Sequence, residues 1–415
     1  MTNPTLIEVT RGPLLESFHT GALAVVSATS GVLLSLGDTQ RAIYPRSSVK
    51  SLQALPLIET GAADRYGYGD AEIALACASH TGTAAHTKVA EAMLTAVGLN
   101  ESDLGCGRHT PLGAKAAKEL WRAGGEPTQL HNNCSGKHAG MLATARHTNL
   151  PIEDYWRAGH PMQQRVLEIL CQLSGLKLGS DVMGLDGCSL PNWAMPLQSM
   201  AEVFAKLVSG HGLEAQRAAA FQRIMQACWS EPDLVAGPGR VDSVVMARLP
   251  GRVFLKTGAE GVYCGGFPEL KVGFALKVDD GTTRASAGTA MAIVEQVVPE
   301  AVGLMHRDIL KSWRGIEVGT IRTAPALTKA LAQLQLLIKA ALRKDSTLFG
   351  YPLSTEFPLR ILFLCRMSSA HKNIDYFLPN MGSGAVWSAT ASYGGTMHSF
   401  GRTFIGSQRL LCLSV

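Results

Sequence analysis

The chain has 415 residues, 46% of them apolar and 17% charged, which supplies enough apolar mass for one large core or two smaller ones. The net charge of +5 is unevenly divided: Ile321 to Val415 carries ten Lys/Arg and three Asp/Glu, leaving 28 basic and 30 acidic groups before it. The body is therefore not basic, which argues against a nucleic-acid footprint, and the basic residues of the last segment are spread singly, unlike a polyanion-binding arm.

The opening Met1-Thr-Asn-Pro-Thr-Leu-Ile-Glu-Val-Thr-Arg has no basic patch followed by an apolar run, and no stretch approaches the ~18 apolar residues of a membrane span. The expectation is a soluble, cytoplasmic protein with no membrane partner. Nine scattered cysteines, an odd number, suit free thiols in a reducing compartment.

Strands are expected first, at Leu6 to Val9, Ala22 to Ser27 and Gly31 to Leu36, with Ala28-Thr-Ser-Gly31 as a hairpin signal between the last two. Helices follow. Lys88 to Leu99 sets Val89, Met93, Leu94 and Val97 on one face, and Pro111 to Ala123, Pro161 to Gln172 and Ser199 to Val208 read similarly. Strands return at Arg252 to Lys256, Leu270 to Val278 and Arg284 to Ser286. This order predicts an α/β (α+β) fold: a mixed sheet with strands from both ends of the chain, and helices packed on it. Residues 1–320 read as the catalytic domain. Residues 321–415 read as a C-terminal extension of different texture, opening with an amphipathic helix at Leu327 to Arg343. It is an add-on, a tail or an altered end of the coding sequence.

Tyr44-Pro-Arg-Ser47-Ser48-Val49-Lys50 sets a serine and a lysine on one helical face. A neutral lysine amine can take the serine proton, which serine needs in order to act as a nucleophile. Burial and a second cation would lower the lysine pKa from about 10.4, and N–H groups at a helix start can help hold an oxyanion. Taken alone, the pattern describes Ser47 as the N-cap of a surface turn entering a helix more readily than as a nucleophile. Lys256-Thr257-Gly258 at the end of an apolar strand offers a cation near the site and a glycine that admits substrate; this triplet accompanies serine-x-x-lysine in serine β-lactamases and penicillin-binding proteins. Cys134-Ser-Gly-Lys137-His138 and Asp186-Gly-Cys188 lie in glycine-flanked turns. They suggest zinc, with His138 as the ligand read from the residues alone, or buried structural cysteines, which the spacing favours. Cys77-Ala-Ser79-His80-Thr-Gly82 offers a second hydroxyl or an imidazole, or a capping turn.

These motifs, together with Gln53-Ala-Leu-Pro56, His131-Asn-Asn-Cys-Ser-Gly-Lys-His-Ala-Gly140, Gly184-Leu-Asp-Gly-Cys188, Gly239-Arg-Val-Asp242 and Lys256-Thr-Gly-Ala-Glu-Gly-Val262, resemble the asparaginase II family, the Rhizobium etli type of L-asparaginase. The resemblance runs in order over roughly residues 5 to 320. It implies a serine β-lactamase-like fold, a homodimer, and hydrolysis of the asparagine side-chain amide to aspartate and ammonia. It makes Ser47 the nucleophile and Lys50 its base, with Ser79 and Lys256 completing two serine-lysine pairs. It makes Cys134, Lys137 and Cys188 the zinc ligands, with His138 and Asp186 beside them and Arg46 and His80 near the substrate. Another serine-lysine amidohydrolase, or an inactive zinc-stabilised binding protein, are the competing readings.

Overall fold

The alternation in Gly21-Ala-Leu-Ala-Val-Val26 organises the core. The computed structural model describes residues 2–305, 309–347, 387–393 and 396–402. Eight strands form the main sheet: β1 (Thr5–Arg11), β2 (Leu14–Ser27), β3 (Gly31–Leu36), β4 (Phe254–Thr257), β5 (Val262–Phe267), β6 (Val272–Val278), β7 (Ile309–Lys311) and β8 (Glu317–Thr323). Their order is β7-β8-β1-β2-β6-β5-β4, with β3 also paired to β2, and each of these pairings is antiparallel. Strands from both ends of the chain thus share one sheet.

β2 serves two halves of that sheet. Its residues 14–20 pair with β1, and its residues 21–27 pair with β6. Gly21 stands at the changeover, where a Cβ would lie 2.4 Å from the Lys277 carbonyl oxygen. Beyond it the period of two divides the side chains between faces. Ala22, Ala24 and Val26 enter a core shared with the helical region. Leu23 and Val25 enter a second core with Phe274, Leu276, Ile293 and Leu331. A sheet covered on both faces has no polar side to offer, so this half of β2 is buried throughout.

The helical region lies between β3 and β4. It includes helices Asp70–Ala76, Ala84–Ala96, Ser135–His147, Pro161–Ser174, Leu197–Ser209 and Ala215–Ser230. The stretch expected as a helix at Lys88 to Leu99 starts four residues earlier, after Thr83. Arg284 to Ser286 is not a strand but the first turn of helix Thr283–Val297. Its alanine-rich sequence favours helix, and Ala285, Ala290, Ile293 and Val294 form a buried face that three residues could not reveal.

The chain divides into two units, Met1–Leu342 and Arg343–Val415. The first unit runs past the change of texture at residue 320. β8 pairs with β1, and helix Pro325–Thr347 buries Leu327, Leu331, Leu334 and Ile338 in the second core. In the second unit, Trp387–Tyr393 and Thr396–Arg402 form an antiparallel hairpin. The rest of the extension expected there, including Cys365 and Cys412, lies outside the described residues. The seven cysteines among the described residues are all free thiols. No helix among them is long and apolar enough to cross a membrane.

Candidate active site

Arg46 stands at φ 53°, a left-handed conformation that costs energy for a residue with a Cβ and is often held where a site demands it. It opens the short 3-10 turn Arg46–Val49, which runs into the single α-turn Lys50–Gln53. The cap of this turn is Pro45, and no side chain caps it, so Ser47 is not an N-cap. The two adjacent serines differ. Ser48 Oγ donates to the Pro45 carbonyl at 2.7 Å, and the Ser48 N–H meets the same oxygen at 3.2 Å. That N–H is therefore already occupied. Ser47 is 7% exposed, and among the described residues its hydroxyl has no hydrogen-bond partner.

Lys50 is fully buried and donates to the carbonyls of Ala78 and, at 3.1 Å, Asn133. Both acceptors are backbone carbonyls, which fix where the amine sits without involving another side chain. The Lys50 backbone N–H donates to the Ser47 carbonyl, but no hydrogen bond joins the two side chains. The hydrogen-bonded serine-lysine pair is instead Ser79 and Lys256. Lys256 Nζ donates to Ser79 Oγ at 3.2 Å and to the Thr257 carbonyl at 2.8 Å. Burial, aided by Lys50 and Arg240 and opposed by Asp242, pulls the Lys256 pKa down to about 7.

Gly258 joins the two motifs. A Cβ there would lie 3.0 Å from the Pro45 oxygen and 3.3 Å from the Ser48 nitrogen. The glycine therefore admits the serine turn itself against the end of β4, where the sequence suggested only an approach for substrate.

Cys134 precedes helix Ser135–His147, and Cys188 precedes Ser189, another left-handed residue at φ 72°. The Cys134 and Cys188 sulfurs and an Asp186 carboxylate oxygen lie within 4.8 Å of one another. Lys137 Nζ donates to Cys188 Sγ at 3.1 Å. The hydrogen bond from Cys134 and the Lys137 charge pull the Cys188 thiol down to about 5, while the same bond pushes Cys134 up to about 12. Burial disfavours the Lys137 ammonium, but Cys134, Cys188 and Asp186 together outweigh it and raise its pKa. Two sulfurs and a carboxylate, with an amine alongside, form a donor set able to hold a thiophilic divalent ion, and binding would displace protons from these groups. Asp186 joins this cluster as a candidate ligand. It also accepts from Arg46 Nε at 2.6 Å, which ties the cluster to the residue before Ser47.

His138 turns elsewhere. Its Nδ1 meets the Tyr155 hydroxyl at 2.6 Å, its Nε2 is buried without a hydrogen-bond partner, and burial together with Lys137 lowers its pKa to about 3. It is not part of the sulfur-carboxylate cluster. His80 has both ring nitrogens engaged, Nε2 with Ser135 Oγ at 2.9 Å and Nδ1 accepting the Gly82 N–H at 3.1 Å. It braces the start of helix Ser135–His147. The carbonyls holding Lys50 escaped sequence reasoning, because backbone acceptors carry no residue signature. So did any role for Asp242 and Tyr263, although Asp242 ends a motif that had been singled out.

The sequence of the chain places it in a family of hydrolases. The L-asparaginase II family model matches residues 7–323 of the 415, and the chain belongs to that family. No curated protein matches it. Among solved structures, it is similar to a β-lactamase from Mycobacterium bovis at 14% identity and TM-score 0.35, covering 68% of this chain and 94% of that one. It is also similar to a putative β-lactamase from Bacteroides dorei at 15% identity and TM-score 0.35, covering 62% and 84%. Likeness at that level carries no argument about function.

Proposed function

We propose that the protein is an L-asparaginase that hydrolyses the side-chain amide of asparagine through an acyl-enzyme on Ser47. The observation that carries this reading is the Ser47 hydroxyl, without a hydrogen-bond partner among the described residues, in a turn that packs through Pro45 and Ser48 against Gly258, with Lys50 and Lys256 both buried in the same two motifs. Ser47 Oγ attacks the amide carbon while Lys50 takes its proton. The carbon–nitrogen bond breaks, the nitrogen departs as ammonia with that proton, and an ester to Ser47 remains. Water then cleaves the ester, releasing aspartate and restoring the hydroxyl. Lys256, with a pKa of about 7 and in contact with Ser79, is suited to carrying protons in both halves.

The substrate assignment rests on family membership. Zinc held by Cys134, Cys188 and Lys137, with Asp186 beside or among the ligands, and a homodimeric, cytoplasmic enzyme of asparagine catabolism belong to the same proposal. Bound zinc would supply positive charge next to Arg46 and Asp186. The chain's own residues carry the acyl transfer.

Ammonia release from asparagine and glutamine by the purified full-length chain, with and without chelator, tests the reading. Ammonia from asparagine, lost in Ser47→Ala, is expected. Cleavage of nitrocefin without ammonia release would point to another serine-lysine amidohydrolase. Asparagine binding without turnover would point to a binding protein.

A further inference from the structure

We propose that Asp242 is a positioning residue of this site: its carboxylate clamps Thr257, whose carbonyl holds the Lys256 amine against Ser79, and it sets a buried negative charge opposite that amine. The inference rests on the reading of Ser79 and Lys256 as parts of an amide hydrolase.

Asp242 lies in the first turn of helix Val241–Arg248 and is 1% exposed. A buried carboxylate is costly unless its oxygens find donors. Here one oxygen accepts the Thr257 N–H at 2.7 Å and the other accepts the Tyr263 hydroxyl at 2.6 Å. The donors come from β4 and β5, so the carboxylate fixes that end of the sheet to the helix.

The Thr257 residue is engaged at both ends. Its N–H goes to Asp242, and its carbonyl accepts from Lys256 Nζ at 2.8 Å. The same nitrogen reaches Ser79 Oγ at 3.2 Å. A continuous chain therefore runs from Asp242 through Thr257 and Lys256 to Ser79. The Thr257 carbonyl shares its peptide plane with the Gly258 N–H, which donates to the Val262 carbonyl at 2.8 Å, so the Asp242 clamp and the pairing of β4 with β5 hold the two sides of Thr257 together.

The charge has a second effect. The ionisable groups that act on Lys256 are Asp242 and Arg240 around the start of helix Val241–Arg248, Lys50, and Cys77 at the end of helix Asp70–Ala76. Cys228, in helix Ala215–Ser230, and Cys264, in β5, also feel this amine: the bond to Cys77 and burial raise the first thiol and burial raises the second, and Lys256 offsets part of each rise. Asp242 is the carboxylate in this set. It favours the ammonium, whereas burial, Lys50 and Arg240 oppose it, and the balance places Lys256 near neutrality. An amine taken well below that value would stay neutral through the working range and would be a poorer proton donor.

Asp242→Asn keeps an acceptor for the Thr257 N–H and removes the charge, whereas Tyr263→Phe keeps the charge and removes one donor. Both are made in the full chain. The Lys256 midpoint is read by NMR of 13Cε-labelled lysine, assigned with Lys256→Met, and the pH profile of kcat/KM for ammonia release is read in parallel. In Asp242→Asn the midpoint is expected to fall by at least one pH unit, a tenfold loss of proton affinity, and the acidic limb of the profile should follow it. In Tyr263→Phe both should stay in place. The smaller neutral Asp242→Ser carries the same test should the asparagine variant not fold. An unmoved midpoint in the neutral variants overturns the proposal. A midpoint that falls while the rate limb stays upholds the link between Asp242 and Lys256 and removes Lys256 from turnover, so the two readings fail separately.

Discussion

Replacing Lys256 by methionine is expected to stabilise the protein while abolishing turnover, and to do so in a pH-dependent way. Lys256 is fully buried, and burial is the main cause of the fall in its pKa from 10.5 to about 7. By linkage, the unfolded chain then holds more protons than the folded one between those two values, so wild-type stability rises with pH across that window. Below pH 7 the amine is protonated in both states and the whole penalty is present, on the order of 5 kcal/mol at ~1.4 kcal/mol per tenfold change in proton affinity. Methionine fills similar space without a charge, but it forfeits the bonds to Ser79 and Thr257 and leaves Asp242 without its facing cation. The net gain expected at pH 6 is therefore roughly 2 to 4 kcal/mol, shrinking towards zero or reversing by pH 10. Urea unfolding of wild type and Lys256→Met at pH 6, 8 and 10 measures the difference directly, because the other titrating groups are common to both. A stability difference that does not change with pH would refute the reasoning, as would a destabilised variant at pH 6.

Ser47→Ala is expected to lower ammonia release at least a thousandfold with little change in thermal midpoint, whereas Ser48→Ala, which loses the bond to Pro45, should cost about 1 kcal/mol of stability and keep most of the turnover. Steady-state rates and melting curves separate the two. Gly258→Ala should push the serine turn back by a few tenths of an ångström from Pro45 and Ser48, with a loss in kcat on the order of tenfold and a cost of about 1 to 3 kcal/mol; wild-type kinetics would show that the contact does not matter. Cys134→Ala and Cys188→Ala should each lower zinc content measured by elemental analysis, and an unchanged metal content would remove that site.

Some of this was readable from the sequence because local periodicity carries it. The alternation after Gly21 announces a strand, and Ala28-Thr-Ser-Gly31 announces the hairpin to β3. The serine-lysine and lysine-threonine-glycine motifs were visible as words, but the meeting of Gly258 with Pro45 depends on packing across the chain. Which of two adjacent serines is free also depends on packing, since only the turn geometry commits Ser48 to Pro45. Lys137 and His138 are neighbours on a helix and point about 100° apart, so the choice of which faces Cys188 is a matter of helix rotation that spacing does not encode. Asp242 was invisible in its role because one buried aspartate has no period. The strand expected at Arg284 failed because three β-compatible residues say less than the alanine-rich turns after them.

The pairing of β1 with β8 also governs how the protein can be made. Ile7 stands opposite Thr323, so the first strand emerges from the ribosome about 300 residues before its partner. At ~5–20 residues per second that is a wait of roughly 15 to 60 s. For most of it, Leu23 and Val25 lack the Phe274 and Leu276 that will cover them, and throughout it β1 presents an unpaired edge to other nascent chains. The N-terminal hairpins are thus a candidate chaperone client during synthesis. A chain terminated before Glu317 would keep every side chain of the candidate site and still lack the strand that closes β1.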